Sequence, residues 1–440
     1  MEYTQLYESF NTPDVQLVVS GWPSRAPGTQ GYHGDAAFTR ETLLSLVKTK
    51  HMRFVVIAET NHDNRPELVG DGNILVLRVI NHDKFHVYPT ILTWLNRFPA
   101  IKHVTVHSNF TYSGIAHFIL LVPFLALIKL TGRKLSLVAH NVVDSIDFLA
   151  KQINITNKLL VAVLNSGVRF YNNTLGMILD HVIVLDIQGK KIMQSYVPAN
   201  KIVYNPHFVK PRNTTITMNE AKQSLGISSN TKVLLCFGFI SYYKGSDILA
   251  ELFKKSNKNK NFHLIFAGGP SPSLSHTKHY QEFFDRFEKM VSKVKNITYT
   301  GFIPTNKVGM YFAAADLVVL PYRGLMGGSG AFSYAVGYGK PAIISTPMHE
   351  LTENPDINRV LCENKLQSKD IEFNLTKNGF NDVLKIAENK TLLNTLTQVS
   401  EEIRTVRNID VITNQLYDEV YAPDYHAQFI SRPAFAGLHS

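Results

Sequence analysis

The sequence has few cysteines and lacks the Cys and His spacings that hold metal ions. Cys236 and Cys362 are its two cysteines, and neither a C-x-x-C motif nor a Cys/His cluster accompanies them. This excludes a disulfide framework and a structural zinc site. We therefore expect an ordinary large globular protein of a reducing, cytoplasmic compartment.

A membrane-spanning run is also missing. The longest apolar stretch, residues 115–130, contains Pro123 and Lys129. It is shorter than the roughly 20 residues that a spanning helix needs. We expect a buried helix there, and a helix lying at a membrane surface is the alternative. Residues 1–11 lack the apolar core of a secretory signal.

The sequence has fewer acidic than basic side chains. The chain has 45 Lys and Arg against 35 Asp and Glu, a net charge of +10. Spread evenly, this charge is a weak attractor for anions such as phosphate substrates or acidic lipids. No basic run with interleaved aromatics is present, so we expect no nucleic-acid partner. Peripheral contact with the inner face of a membrane stays open.

Several nucleotide and hydrolase motifs are missing as well. There is no D-x-D pair for a metal-bound diphosphate, no G-x-x-x-x-G-K-[ST] loop, no G-x-S-x-G elbow and no H-E-x-x-H pair. We therefore expect neither a metal nor a cofactor. Lysine, arginine and helix ends remain as the groups that can bind a nucleotide diphosphate.

What the sequence does contain is a repeated alternation of strand and helix patterns. Nearly all-apolar runs at 15–20, 53–59 and 74–80 are separated by helical patterns, which indicates a parallel sheet covered on both faces. The pattern restarts after Asn205-Pro206-His207. We predict an α/β fold of two doubly wound, Rossmann-like domains facing each other across a cleft. The predicted boundaries are residues 1–207, 208–410 and a final segment, 411–440.

The segment "FGFISYYKG" is the first motif suited to phosphate. Its strand ends at Gly238, its loop carries Ser241 and Lys244, and Gly245 introduces a helix. A cation beside a helix start at the carboxyl edge of a strand suits a diphosphate. The alternative is that Lys244 is a surface loop lysine.

The segment "LPYRGLMGGSGAF" is the second such motif. Arg323 is followed by Gly327, Gly328, Ser329 and Gly330 directly before a helical pattern. Glycines let a ligand approach the backbone, and the first helical turn presents unpaired N–H groups to it. Arg323 could add charge-assisted hydrogen bonds. The alternative is a flexible turn whose helix is capped by Ser329.

Candidate residues in the first half lie at predicted strand ends. Gly34 precedes a helix in a glycine-containing loop, and His107 and His140 each end a strand. A lone histidine in such a place is commonly structural. His140 with Asn141 gains weight because that turn should face the second half.

In this order the motifs resemble the family 4 retaining glycosyltransferases of GT-B fold over nearly the whole chain. The resemblance rests on the Gly34 loop, on His140-Asn141 and on "VIVLDIQGKKIMQSYVPANKIVYNPHFV" in the first half. In the second half it rests on "FGFISYYKG", "IFAGGPSP", "YTGFIP", "MYFAAADLVVLPYRG" and "GYGKPAIIST". The ensemble is specific, although no single piece is. In this family the last helix crosses back to the N-terminal domain, which implies the same for the segment after about residue 411.

The resemblance assigns roles to individual residues. Lys244 matches the lysine that contacts the donor diphosphate, His140 the histidine near the transferred sugar, Gly34 a backbone contact to the phosphates, and Gly328 to Gly330 the helix start that cradles the donor. The sequence departs from the family where Phe239 replaces an arginine. It departs again where Met326 and Tyr334 replace two glutamates spaced eight apart.

These features imply a retaining, metal-independent glycosyltransferase that moves a hexose from a nucleotide-diphosphate sugar to a glycan or glycolipid hydroxyl. Lys244, His140 and Arg323 are the expected catalytic residues. The expected donor-binding residues are Gly34, Ser241, Gly328, Ser329, Gly330 and Tyr334. Because the acidic pair is replaced, a non-catalytic subunit that binds a glycan or a partner transferase is the alternative. A nucleotide-sugar epimerase of the same fold ranks last, because it would need acidic residues at the sugar.

Overall fold

The computed structural model describes residues 2–23, 34–60, 64–81, 87–108, 114–147, 150, 157–256, 259–272, 274–325 and 328–422. Three features discussed above lie outside the described residues: the loop ahead of Gly34, the pair Met326 and Gly327, and the chain after residue 422.

The first half forms an eight-stranded sheet in the order β3-β4-β2-β1-β5-β6-β7-β8. Its pairings are parallel except that β3 runs antiparallel to β4. The strands are β1 (Val15–Val19), β2 (Arg53–Glu59), β3 (Glu67–Val69), β4 (Ile74–Ile80), β5 (His103–Ser108), β6 (Lys134–Ala139), β7 (His181–Val184) and β8 (Ile202–Tyr204).

Helices cover both faces of this sheet, as its all-apolar strands require. They are α1 (Glu2–Phe10), α2 (Gly34–Lys50), α3 (Val87–Leu95), α4 (Gly114–Leu130), α5 (Lys158–Ile178) and α6 (Ile187–Met193). Along β2, Val55 and Ile57 join the apolar cluster under α3, α4 and α5, while Phe54 and Val56 join the cluster under α2. Alternate residues of one strand therefore supply two cores.

The second half forms a six-stranded parallel sheet in the order β11-β10-β9-β12-β13-β14. Its strands are β9 (Lys232–Phe237), β10 (Phe262–Ala267), β11 (Ile297–Tyr299), β12 (Leu317–Leu320), β13 (Ala342–Ser345) and β14 (Glu372–Phe373). Its helices are α7 (Met218–Ser224), α8 (Ser246–Lys255), α9 (Lys278–Val291), α10 (Val308–Ala314), α11 (Gly330–Gly337), α12 (Pro355–Glu363), α13 (Ser368–Ile371), α14 (Lys377–Glu388) and α15 (Lys390–Val406).

The last described elements, α16 (Ile409–Leu416) and a π-helical turn (Tyr417–Tyr421), pack on the first sheet. Ser45 of α2 donates a hydrogen bond to Asp410 Oδ1 at 2.7 Å, and its Oγ lies 2.7 Å from Thr413 Oγ1. Val209 N–H donates to the carbonyl of Arg407 at 2.7 Å, so the connector between the sheets runs beside this returning segment. The exact domain boundaries remain predictions.

Direct contacts join the two halves near the connector. Tyr204 Oη donates to Asn354 Oδ1 at 2.8 Å, and Ile187 N–H donates to the same oxygen at 3.1 Å. Lys191 forms an ion pair with Glu353 at 2.8 Å. The side chain of Asn354 thus connects the second half to both the end of β8 and the start of α6.

Within the described residues, no helix is both long enough and apolar enough to cross a bilayer.

Candidate functional site

Each sheet reverses its strand order at one point. In the first sheet, the strands that follow β1 along the chain are added on one side of it, and those that follow β5 are added on the other side. In the second sheet the same change of side occurs between β9 and β12. Loops at the carboxyl ends of such strands diverge and leave a crevice, where α/β sheets bind their ligands. The two phosphate motifs of the sequence follow β9 and β12, so the topology brings them together.

Lys244 lies directly over the end of β9. Its Nζ is 2.9 Å from where a Cβ on Gly238 would be, so glycine at 238 leaves the space that the ammonium occupies. The same Nζ lies 5.7 Å from the ring centroid of Tyr322 and 5.9 Å from those of Phe239 and Tyr243. Aromatic faces attract a cation at these distances. Three aromatic rings therefore surround the lysine ammonium at the end of β9.

Gly245 fixes the turn that follows the lysine. It has φ +68° and provides the N-cap of α8 in a left-handed conformation. A Cβ there would lie 1.9 Å from the carbonyl oxygen of Pro321, the residue after β12. Only glycine fits, and the close approach locks the lysine loop against the loop after β12.

Ser329 caps α11 at the same place. Its Oγ accepts the N–H of Phe332 at 3.2 Å and donates a long hydrogen bond, 3.5 Å, to Tyr322 Oη. The ring that faces Lys244 thus also touches the cap of α11. An ammonium and a helix N-terminus converge on Tyr322, and both favour an anion.

Ser241 is buried in the loop between these parts, and its Oγ has no hydrogen-bond partner among the described residues. A buried hydroxyl in this state costs roughly 1–3 kcal/mol. A ligand group or a movement of the loop that gave it a partner would recover that free energy.

Arg323 is engaged in a different way from the one expected. Its guanidinium forms a bidentate pair with Asp247 of α8, at 2.9 and 2.7 Å, and lies 3.8 Å from the ring centroid of Tyr242. Its side chain also donates to the carbonyl of Tyr242. Because Asp247 already neutralises this cation, the contacts of Arg323 in the structure hold the lysine loop against the loop after β12. Its direct contact with phosphate remains a prediction.

Of the other predicted donor residues, Gly34 is the first residue of α2, Gly328 lies just ahead of α11, and Gly330 and Tyr334 lie on α11. The ring of Tyr334 packs 4.9 Å from that of Phe237, and the guanidinium of Arg212 lies 3.8 Å from its centroid. A Cβ on Gly328 would come within 3.0 Å of His207, whereas one on Gly330 would meet nothing within 4 Å. Gly328 therefore serves close packing, and Gly330 opens on free space. Their roles in binding a donor stay predictions.

In the first half, His107 and His140 are brought into direct contact. His107 Nδ1 lies 3.0 Å from His140 Nε2 and 3.2 Å from Thr39 Oγ1. His140 Nδ1 lies 3.5 Å from Asp35 Oδ1 in the first turn of α2. The arrangement that satisfies these contacts has His140 Nδ1–H facing Asp35 and His107 Nδ1–H donating to His140. Both ring nitrogens of His140 thus have protein neighbours.

Burial keeps these imidazoles neutral. Desolvation, and then the neighbouring His140, hold the pKa of His107 well below 6.5. Desolvation also lowers the pKa of His140, although the Asp35 carboxylate raises it in part. At neutral pH the pair can donate and accept hydrogen bonds but carries no charge.

A third histidine joins the pair and was not predicted. His207 packs 5.1 Å from the ring of Phe38, which also contacts His140 at 5.3 Å, and its Nδ1 lies 3.3 Å from Ser333 Oγ on α11. Burial lowers the pKa of His207 to about 4. This residue links the histidine cluster of the first half to α11 of the second. Its place on the connector, next to Pro206, was the available signal.

A small pocket lies near the histidines, between the carboxyl ends of β5 and β6 and helix α5. Ser108, Asn141, Tyr171 and Asn172 line it together with apolar side chains. Because it lies at the carboxyl ends of these strands, it is a candidate ligand pocket.

Solved structures share this architecture. Sucrose-phosphate synthase from Thermosynechococcus elongatus matches with a TM-score of 0.68 at 14% identity, covering 95% of this chain and 99% of that one. Anabaena HepE in complex with UDP-glucose matches with a TM-score of 0.63 at 13% identity, covering 92% and 98%. The α/β fold predicted from the sequence, two doubly wound domains of GT-B type, is confirmed.

Sequence comparison points to the same class. Residues 231–370 match the family model of glycosyl transferases group 1. A relative from Clostridioides difficile (strain 630), UDP-N-acetylglucosamine–N-acetylmuramyl-(pentapeptide) pyrophosphoryl-undecaprenol N-acetylglucosamine transferase, is 26% identical over 226 residues, 50% of each chain. The chain thus spans about half the length of this curated relative. The predicted resemblance is confirmed at the level of group 1, and these matches indicate a glycosyltransferase. Family 4 itself remains a prediction.

Proposed function

We propose that this protein is a retaining, metal-independent glycosyltransferase that moves a hexose from a nucleotide-diphosphate sugar to a hydroxyl of a glycan or glycolipid. The observation that carries the proposal is the convergence of the Lys244 ammonium and the Ser329-capped start of α11 on the ring of Tyr322. It supports an anion site at the strand-order reversal of the second sheet.

Transfer requires that the leaving diphosphate be stabilised as its negative charge grows. Lys244 supplies a fixed ammonium, and the first turn of α11 supplies N–H groups with the positive end of its dipole. A phosphate oxygen of the leaving group can accept the proton of the attacking hydroxyl on the same face of the sugar. No protein base is then required, and the anomeric configuration is retained.

The first half would position the acceptor and the sugar. His140, neutral at working pH, would position the sugar by contact with its ring, which His107 and Asp35 hold in place through the two ring nitrogens. Closure of the halves over the donor would exclude water and limit hydrolysis. The pocket lined by Ser108 and Tyr171 lies on the side where an acceptor would enter.

The comparisons suggest the first substrates to test. HepE is described in complex with UDP-glucose, and the C. difficile relative is named for an acceptor linked to pyrophosphoryl-undecaprenol. UDP-sugars and lipid-linked acceptors are therefore the first choices. The free, exposed thiol of Cys362 suits the reducing cytoplasm, where we place the reaction.

The test is a screen of purified protein against UDP- and GDP-sugars, read by released nucleotide. We expect Lys244→Met to lower kcat by roughly tenfold or more, since preorganised donors to a leaving group typically contribute at least that much. Lys293→Met is the matched control, because Lys293 is an exposed lysine at the end of α9, away from the crevice. Both variants should keep the wild-type melting temperature.

Each of three results would contradict a different part of the proposal. If Lys244→Met turns over at the wild-type rate, the lysine has no part in the chemistry. If no nucleotide sugar is consumed and calorimetry detects no binding of UDP, GDP or their sugars, a non-catalytic subunit is the correct assignment. Inversion at the transferred sugar would refute the retaining mechanism alone.

A further inference from the structure

A buried cavity lies between α2, the first sheet and the returning C-terminal segment. Its wall includes Thr42 of α2, Thr105 and His107 of β5, Asn205 just after β8, and Tyr421 of the π-helical turn. Most of the other side chains in the wall are apolar. The cavity therefore adjoins the histidine pair of the first half from within the protein interior.

Two polar atoms in this wall have no hydrogen-bond partner among the described residues. They are Thr42 Oγ1 and Asn205 Oδ1. Thr42 is 5% exposed and Asn205 is 1% exposed. Native proteins seldom leave a buried hydroxyl or amide oxygen unpaired, because each was hydrogen-bonded to water in the unfolded chain. Two such atoms, on different elements of one cavity wall, indicate a ligand that bonds both.

His107 adds a third group that can form a hydrogen bond in the cavity. Its Nδ1 lies 3.0 Å from His140 Nε2 and 3.2 Å from Thr39 Oγ1. Burial lowers the pKa of His107 well below 6.5, so the ring is neutral at pH 7 and carries a proton on only one nitrogen. If Nδ1 holds that proton and donates it to His140, Nε2 is an acceptor. A ligand that donates twice can then bond both His107 Nε2 and Asn205 Oδ1.

The size of the cavity and its lack of charge select water as this ligand. The space holds about one water molecule. Among the described residues, no lysine, arginine, aspartate or glutamate lines it. An ion there would have no counter-charge in a mainly apolar wall, which is costly. Water both donates and accepts hydrogen bonds, so it matches two acceptors, on His107 and Asn205, and one hydroxyl, on Thr42.

We propose that one buried water molecule in this cavity sets the tautomer of the His107–His140 pair. The water donates to His107 Nε2 and to Asn205 Oδ1, and it accepts from the Thr42 hydroxyl. His107 consequently keeps its proton on Nδ1 and donates it to His140 Nε2, which leaves the Nδ1–H of His140 for Asp35. Thr42 and Asn205 are positioning residues that act on the pair through the water. The use of this arrangement in sugar transfer rests on the proposed function, whereas the water site does not.

The returning segment closes the cavity. Leu416 of α16 and Tyr421 of the π-helical turn line it, and Tyr421 Oη lies 3.3 Å from Thr105 Oγ1 of β5. All three residues are buried. These side chains separate the water from solvent, so the proton arrangement of the histidine pair depends on the docking of the returning segment on the first sheet.

The first test is a high-resolution crystal structure of the full chain. We expect one water peak within hydrogen-bonding distance of Thr42 Oγ1, His107 Nε2 and the Asn205 amide. NMR of protein with isotope-labelled histidine supplies the proton positions, because the long-range nitrogen–proton couplings differ between the two tautomers. We expect His107 in its Nδ1–H form, and comparison with His107→Gln assigns its signals.

The substitution Thr42→Val distinguishes a hydroxyl bonded to water from an unpaired one by the sign of its effect. Removing the bonded hydroxyl should lower the melting temperature by about 2 °C and increase the Nε2–H form of His107 severalfold. Removing an unpaired buried hydroxyl would instead raise the melting temperature. Thr42→Ser keeps the hydroxyl and should retain the wild-type tautomer. The matched control is Thr49→Val on the same helix, whose hydroxyl donates to the Ser45 carbonyl at 2.8 Å; it should leave the His107 tautomer unchanged.

Three outcomes would overturn the inference. The first is a crystal structure with no water peak in the cavity, or with a peak at the short oxygen distances of a metal cation. The second is a higher melting temperature for Thr42→Val. The third is His107 in its Nε2–H form in the wild type. None of these measurements uses a nucleotide sugar, so absence of sugar transfer would refute the proposed function alone, and sugar transfer without the water would refute this inference alone.

Discussion

His207 makes the stability of the protein depend on pH in a calculable way. Burial lowers its pKa from 6.5 to about 4 in the folded chain. Below pH 6.5 the unfolded chain binds a proton at this residue that the folded chain does not. Folded-state stability therefore falls as the pH decreases from 6.5 towards 4. The perturbation that removes this effect is His207→Phe, which keeps a ring beside Phe38 but cannot be protonated.

The magnitude follows from the two pKa values. At pH 5 the ratio of protonated to neutral His207 is about 30 to 1 in the unfolded chain. In the folded chain, with a pKa of about 4, the neutral form predominates by about 10 to 1. The difference is worth about 2 kcal/mol of stability. Urea unfolding followed by circular dichroism at pH 7.5 and pH 5 measures it. The loss of stability between the two pH values should be smaller in His207→Phe than in the wild type by about 2 kcal/mol.

His107 and His140 also resist protonation, but they are present in both proteins and their contribution cancels in the comparison. His279→Phe, at an exposed position on α9, is the control and should keep the wild-type pH dependence. Equal losses of stability in the wild type and in His207→Phe would refute the reasoning. That result would mean that the imidazole is solvated in the folded protein.

Two further predictions test the backbone and the thiols. Gly245→Ala should destabilise the protein by roughly 3 kcal/mol or more and lower its melting temperature, because a Cβ would lie 1.9 Å from the carbonyl oxygen of Pro321 at φ +68°; an unchanged melting temperature would show that the loop moves freely. Cys362 is exposed, whereas burial raises the pKa of the Cys236 thiol to about 12, so an aromatic disulfide reagent should titrate one thiol quickly in native protein and two in urea; two fast thiols in native protein would contradict the buried environment of Cys236.

The strands were the most predictable elements of the fold. The predicted bounds of β2 and β4 match the structure, because each is an apolar run flanked by polar residues and both of its faces are buried. The short strand β3 was missed. It has three residues, pairs only with β4, and is half-exposed, so it has no apolar pattern of its own. Helix α1 was missed because its polar sequence buries few side chains.

The candidate site was predictable as a set of loops but not as a set of contacts. The positions of Lys244 and Ser329 follow from strand order, since both succeed strands at the reversal point. The pairing of Arg323 with Asp247 does not, because nothing in the sequence places the first turn of α8 against the loop after β12. The contact of His207 with Phe38 likewise depends on how the connector crosses between the sheets. Long-range side-chain pairing is not encoded in local periodicity.

The return of α16 to the first sheet has a consequence for how this chain can be divided. Ile412 and Leu416 complete a core whose other members are drawn mainly from the first 210 residues. A fragment that stops at the connector would expose the apolar surface of the first lobe that α16 covers. A fragment that starts there would expose the apolar side of α16 itself. The first lobe is therefore built from two separate stretches of polypeptide, whereas the core of the second comes from one continuous stretch. Cutting the chain once should yield two insoluble products, whereas co-expressing the first lobe with a peptide of residues 409–422 should restore it.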